Sequence, residues 1–410
     1  MPEINMKTML ELEEARARLL AGITPLGTES VALNLAAFRV AAGDVSSSVD
    51  LPPFDNSAMD GYAVRAADVS SAKVDAPVAL TLAGKVAAGD GFTGEVQPGQ
   101  CVRLFTGSVL PTGADAVVMQ EDVQVDDRPS PRVHVLDGVK PWENVRFRGE
   151  DVKRGAVLVR AGERLSPGRI GLLAAAGVST VEVYRRPVIG LLATGSELVE
   201  PGGVLTPGKI FESNRAALEP LLARSGAVVR VYPLVPDTLA GTRDALARAF
   251  AECDGVVTSG GVSVGELDFV KAAFEELGGA LDFWKVAIKP GKPFVFGRWG
   301  EKLLFGLPGN PVSAIVTFLL LVRPTLWRWQ GATEVESRTV PCVLGEPMVN
   351  RGGRRHFMRV RIDRKGVAWS AGLQASHRLG SLAEADALID VPPDTALAAN
   401  APAIAILLDE

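Results

Sequence analysis

The chain has 410 residues, 47% hydrophobic and 22% charged, with 43 Lys+Arg against 48 Asp+Glu for a formal net charge of −5. At about 150 residues per domain this allows roughly two to four domains, and the acidic balance excludes a general nucleic-acid binder, which needs a basic surface. Scattered Cys101, Cys253 and Cys342 exclude a disulfide scaffold and a thiolate zinc site, and His134, His356 and His377, never paired at i,i+4, argue against a His-based metal centre.

The first 20 residues carry Glu3, Glu11, Glu13 and Glu14 and lack the basic and apolar regions of a secretion signal. Apolar runs such as 317–322 are far shorter than the ~20 residues that span a bilayer. The expectation is a cytoplasmic protein, with no membrane and no nucleic-acid partner. Residues 9–20 have helical apolar spacing, ended by Gly22 and Pro25. A second helix is expected over 31–41, ended by Gly43. Pro52 and Pro53 then open a turn-rich segment. Residues 63–139 read as a β-rich domain, with strands at 77–82, 100–105, 116–120 and 132–136. Pro167 starts a helix over 168–176. Packing of that helix on the N-terminal one would make the β-rich stretch an insertion in a first domain.

From 187 to 324, strands and helices alternate. Strands are expected at 188–193, 228–234, 255–258, 283–288, 293–297 and 303–307. Helices are expected at 214–225, 238–253, 268–277 and 311–327. Continuous apolar strands alternating with helices imply a doubly wound parallel sheet covered on both faces. Beyond Gly331 short strands return at 340–344, 356–362, 367–370 and 403–408, which fits a small C-terminal β domain.

Ligands of open parallel sheets bind beyond the C-terminal strand ends, and unusual sequences cluster there. Thr258-Ser-Gly-Gly-Val-Ser-Val-Gly-Glu-Leu-Asp follows a strand and precedes a helix. Glycines and Ser259 and Ser263 make it an anion site by backbone N–H groups and hydroxyls, although a tight strand-to-helix turn also uses glycines. Lys285-Val-Ala-Ile-Lys289-Pro-Gly-Lys292-Pro sets lysines around a proline-stiffened turn, a clamp for several negative charges. In Leu307-Pro-Gly-Asn-Pro-Val-Ser, Asn310 and Pro311 suit an N-cap and first helical position. That role leaves Ser313 unexplained. Glu197, Asp237 and Asp268 lie at the same edge. Each fits an N-cap or a surface acid, but beside anion donors they suit Mg²⁺ bridging a phosphate. Outside this region, Asp55–Tyr62 and Arg103–Asp115 concentrate polar groups at turns, which an Asx network would also do. Arg354, Arg355 and Arg359 form a basic cluster, either solvated or facing the anion. Ser376 and His377 lie in a polar loop, with a surface histidine the simpler reading. Absence of GxSxG, HExxH and GxxxxGK[ST] disfavours a serine hydrolase, a zinc protease and a P-loop NTPase.

Together, Leu51-Pro-Pro-Phe-Asp-Asn-Ser-Ala-Met-Asp-Gly-Tyr-Ala-Val-Arg, Phe105-Thr-Gly with Pro111-Thr-Gly-Ala-Asp-Ala-Val-Val-Met-Gln-Glu, Gly149-Glu-Asp-Val, the Thr258 loop, Ile288-Lys-Pro-Gly-Lys-Pro and Gly306-Leu-Pro-Gly-Asn-Pro-Val-Ser-Ala resemble the molybdopterin molybdenumtransferases of the MoeA and gephyrin-E type. The resemblance runs in order from near residue 8 to about 405. It implies four domains: an elongated α+β domain from 1–50 and 145–185, an inserted β domain over 51–144, an α/β molybdopterin-binding domain over 186–328, and a C-terminal β-barrel-like domain over 329–410. It also implies a homodimer whose cleft is shared between subunits, with Asp60 and Thr106 coming from the partner. The implied reaction moves molybdenum from molybdate into adenylylated molybdopterin with Mg²⁺ present, and AMP leaves.

On that resemblance Asp60, Thr106, Glu197, Asp237, Asp268, Lys285 and Lys289 are catalytic. Lys289, Lys292, Ser313, Arg354, Arg359 and Ser376 bind molybdate. Ser259, Gly260, Gly261, Ser263, Gly265, Asn214, Pro308, Asn310 and Pro311 hold the pterin phosphate. Glu197, Asp237 and Asp268 place the metal. A molybdopterin adenylyltransferase and molybdoenzyme-maturation proteins are the expected partners. Two departures stand out: Ser196 in Thr194-Gly-Ser-Glu, where the family commonly has Asp, and Ala375-Ser, where Gly-Ser is usual. Competing readings are the adenylylation step itself, a non-catalytic cofactor carrier or scaffold, and a tungstate-using paralogue.

Overall fold

A computed structural model describes residues 9–87, 89–126, 131–262 and 268–408. Its central sheet is built from the most apolar strands of the chain, Val188–Ala193, Gly255–Ser259 and Lys302–Leu307, buried along nearly their whole length. The sheet runs Val228–Val231, Val188–Ala193, Gly255–Ser259, Lys302–Leu307, Pro293–Trp299, Ala280–Lys285. The first four strands are parallel, and the last two are antiparallel to their neighbours. The expected all-parallel sheet is therefore a mixed one. Trp299 pairs directly with Lys302 across Gly300 and Glu301, a hairpin too short for the crossover that parallel strands need.

Alternation along Pro293–Trp299 feeds two apolar layers. Phe294 and Phe296 join Phe305 and the helical run Pro311–Trp329 on one face. Val295 joins Leu246, Phe250 and Phe274, from helices Leu239–Glu252 and Val270–Glu276, on the other. The run Pro311–Trp329 is, among the described residues, the one helix long and apolar enough to cross a membrane, and here it is a core helix. The N-terminal helix Leu12–Leu20 sends Leu12, Ala15 and Leu19 into that same core. The expected packing of this helix on the one after Pro167 is not found. Helix Pro167–Ala175 instead packs Leu173 against Leu33, Ala41 and Val183.

Residues 31–41 were expected to be helical. They are strand and 3-10 turn instead, because Thr28–Ala32 pairs antiparallel with Thr180–Tyr184 and Leu33–Leu35 turns away from it. Two segments distant in sequence thus share one small core. Between them lies a six-stranded sheet ordered Ala116–Met119, Gly61–Val64, Gln100–Leu104, Val78–Val86, Arg132–Val135, Val123–Val125. In the C-terminal part, Arg355–Ile362 pairs both with Val367–Ser370 and with Ala387–Val391, which closes the sheet on itself. Strand Ile288–Lys289 pairs with Arg355 and His356. This pairing joins the lysine turn of the α/β body to the C-terminal barrel.

Candidate active site

Two cavities open at the C-terminal edge of the parallel strands. One, of about 1000 Å³, is lined by the ends of three strands and their turns: Thr194, Gly195, Glu197, Asn214, Asp237, Ser259–Val262, Asp268 and Pro308–Pro311. The other, of about 640 Å³, is lined by Lys289–Pro293, Ser313, Arg354, His356 and Gln374–Ser376. Pro293 and Asn310 line both, so the two are lobes of one cleft.

In the larger lobe, the Asn214 amide donates to Ser259 Oγ at 2.6 Å and to the Gly309 carbonyl at 2.7 Å. It thereby ties the turns after two adjacent strands. Gly260 and Gly261 have φ of +89° and +68°, and a Cβ on either would stand within 3.0 Å of Thr194 atoms. Only glycine lets the loop close here. The Gly260 N–H is spent on the Leu307 carbonyl, so this glycine shapes the floor rather than donating to a ligand. Ser263 and Gly265 lie outside the described residues. Asn310 occupies the N-cap position of helix Pro311–Thr317, with Pro311 at its start, but its side chain makes no capping bond and lines both lobes.

Glu197, Asp237 and Asp268 all line this lobe. The cap of helix Leu239–Glu252 is Thr238, which accepts from Gly241 N–H, so Asp237 is not the N-cap. Asp237 accepts from the Ser196 N–H at 2.8 Å, and its own N–H donates to Ser196 Oγ at 3.0 Å. Ser196 thus locks the turn that presents Asp237. Among the described residues no group of three His, Cys, Asp or Glu side chains is spaced to hold a metal ion. The donor set therefore fits Mg²⁺ only as a site completed by water and substrate oxygens, which is how that ion is commonly held.

The smaller lobe is cationic. Lys289 and Lys292 flank the turn, and Arg354 is oriented by donating to the Ile288 carbonyl at 2.9 Å. Buried Ser313 opens the helix wall. The loop carrying Ser376 docks on that helix through the bond from Val312 N–H to the Ser376 carbonyl. Arg359, expected at the oxyanion, lies beneath the lobe. It is fully buried and donates to Ser381 Oγ and to the carbonyls of Leu373 and Ala375. Gln374 completes the clamp by accepting from Arg359 N–H and donating to its carbonyl. Arg359 does not line the lobe, and the bonds it makes hold the loop, while its Nη1 is buried without a hydrogen-bond partner. Arg355 turns to Asp390 and Glu13.

Lys285 lines neither lobe. Its ammonium sits 3.7 Å over the Trp284 ring, which Lys271 also approaches at 4.0 Å. Burial pushes Lys271 below the usual lysine range, with Asp268 opposing and Lys285 reinforcing the shift. Asp60 and Thr106 meet each other, since Thr106 donates both N–H and hydroxyl to Asp60 Oδ1 at 2.8 Å. Those bonds hold the Asp60 carboxyl below its ordinary range. Within one subunit this pair lines neither lobe. Sequence reasoning missed His356, Gln374 and the exposed aromatic Phe211 as cleft residues, and favoured a surface for His377, which also lines the larger lobe. The apolar pair Ile210-Phe211 between Lys209 and Glu212 was the readable signal among them.

Comparison with known proteins agrees along the chain. Residues 10–177 match the MoeA N-terminal region (domain I and II). Residues 190–328 match a probable molybdopterin binding domain, and residues 341–408 match the MoeA C-terminal region (domain IV). A molybdopterin molybdenumtransferase of Haemophilus influenzae is 40% identical over 387 residues, 93% of this chain and 94% of the relative. One of Bacillus subtilis is 34% identical over 396 residues, 96% of this chain and 92% of the relative. A crystal structure of a molybdopterin biosynthesis MoeA protein from Pyrococcus horikoshii superposes with a TM-score of 0.81 at 33% identity, covering 98% of this chain and all of that one. The chain belongs to the MoeA family of molybdopterin molybdenumtransferases.

Proposed function

We propose that the chain takes molybdenum from molybdate into adenylylated molybdopterin, with release of AMP. The observation that carries this reading is the two-lobed cleft, with a turn-lined lobe presenting Glu197, Asp237 and Asp268 beside a lobe of two lysines and an arginine. A nucleotide-linked pterin and a tetrahedral dianion are both polyanionic, and their reacting ends must meet. Lys289, Lys292, Arg354 and the Ser313 and Ser376 hydroxyls would hold the oxyanion. Asn214 and the Gly260–Gly261 floor shape the pocket for the pterin phosphate. Glu197, Asp237 and Asp268 would hold Mg²⁺, which supplies phosphate polarisation when bound. Asp60 and Thr106, set apart from the cleft within one subunit, support a homodimer in which the partner completes it.

The test is AMP release from adenylylated molybdopterin by purified protein with Mg²⁺. Release that requires molybdate or tungstate, and falls about 10- to 100-fold in Lys289→Ala, supports the reading, since one charged hydrogen bond contributes about 1.5–3 kcal/mol. Binding of the nucleotide without AMP release under either oxyanion makes the protein a carrier. Formation of the adenylylated pterin from ATP assigns the preceding step.

A further inference from the structure

His356 is a polar side chain that no part of this reading uses. It is 3% exposed, yet it lines the cationic lobe, and its Nε2 is buried without a hydrogen-bond partner. Its strand neighbour across the interface between the α/β body and the barrel is Lys289. On its other side it pairs with apolar Val391. The charged groups that act on it are Lys289, Arg354 and Arg359, all positive. Burial first, and then those cations, push its pKa down to about 4, so at neutral pH the ring carries one proton on one nitrogen and no charge. A buried ring nitrogen with no partner is costly unless something enters to bond it. Lys289 of the lysine turn is its strand neighbour, and among the described residues the charged groups that act on the ring include no carboxylate.

We propose that His356 is a further ligand-contacting residue of the cationic lobe, a neutral imidazole that donates its ring N–H to an oxygen of the bound tetrahedral oxyanion. The inference rests on the smaller lobe being the oxyanion site. A neutral donor among cations adds direction where the lysines supply charge. A tetrahedral ion offers oxygens in several directions, and two flexible ammonium groups do not fix which one faces the nucleotide. The imidazole is buried on a strand that pairs on both sides, and with Arg354, held by the Ile288 carbonyl, it is a positioned member of the set.

Titration calorimetry with sodium molybdate and with sodium tungstate tests this on the full-length protein. His356→Phe keeps the ring volume and removes the N–H. Its affinity for both ions is expected to fall about 10- to 100-fold, with His356→Gln, which restores an N–H donor, recovering most of the loss. Lys289→Ala, measured alongside, is expected to lose affinity too. Loss in Lys289→Ala with wild-type binding in His356→Phe would overturn the role of His356 and leave the lobe assignment standing. Wild-type binding in both would overturn the lobe assignment and the inference with it. Should His356→Phe fail to fold by its thermal melt, ¹⁵N resonances of the wild-type ring decide. A shift on adding tungstate supports the contact, and no shift at saturating tungstate overturns it.

Discussion

Alanine at position 260 is expected to break the floor of the larger lobe. Gly260 has a φ of +89°, and an added Cβ would stand 2.5 Å from the Thr194 carbonyl oxygen and 3.0 Å from Thr194 Oγ1. The left-handed conformation alone costs an alanine about 1–2 kcal/mol. The carbonyl cannot retreat freely, because Thr194 N–H bonds to the Ser259 carbonyl at 3.0 Å and Thr194 bridges to Val235. Relieving the clash adds a cost of similar size, so the total is about 2–4 kcal/mol. Gly309, in the same cavity, supplies the contrast. The nearest atom to its added Cβ is Gly260 Cα at 3.7 Å, and its φ is not positive. Gly309→Ala should stay within about 0.5 kcal/mol of wild type. Urea unfolding read by tryptophan fluorescence reports on this body, which holds Trp284, Trp299, Trp327 and Trp329. Gly260→Ala unfolding within about 0.5 kcal/mol of wild type would refute the steric reasoning.

Three further outcomes follow from named contacts. Arg359→Met removes the donors that pin the carbonyls of Leu373 and Ala375, and trypsin cleavage after exposed Arg378 should quicken at least tenfold, read by timed digestion. Asn214→Ala loses both turn-tying bonds, and chemical unfolding should show a loss of about 1–3 kcal/mol. Asp254 holds Arg185 through two bonds of 2.7 Å and accepts from Val188 N–H. Burial pushes Asp254 up, but those bonds outweigh it and leave the carboxyl below its usual range. A depressed carboxyl contributes stability that is fully present above its unfolded pKa of about 4 and is lost as pH falls through the folded value. The gap in melting temperature between wild type and Asp254→Asn should be widest near neutral pH and shrink below about pH 4. A gap that grows on acidification would contradict the sign.

What could be read before the structure was what local chemistry fixes. Strands 188–193 and 367–370 lie where apolar runs placed them, because apolar stretches between turn residues leave little choice. The turns at Gly260, Lys289 and Asn310 were visible as glycine and proline punctuation, and all line the cleft. Long-range pairing was not visible. Ala-rich 31–41 favours helix locally, and only its partner strand Thr180–Tyr184 makes its first residues extended. Strand Ala387–Val391 went unread because its cover comes from Arg355–Ile362 and Pro402–Leu407. For side chains the same limit holds. Arg354, Arg355 and Arg359 read as one basic cluster, but the barrel sends one to the cleft, one to an ion pair and one beneath the loop. His356 had no motif, and it joins the cleft only through its pairing with Lys289.

The central claim is that the two lobes divide the work, oxyanion at the lysine turn and nucleotide-linked pterin at the strand-end turns. Crystals of the protein soaked with tungstate, with anomalous difference maps at the tungsten edge, test it most directly. The account expects the tungsten peak between Lys289, Lys292, Ser313 and Arg354, within hydrogen-bond reach of His356. A single strong peak at the Ser259–Gly261 turn, with none at the lysines, would contradict it.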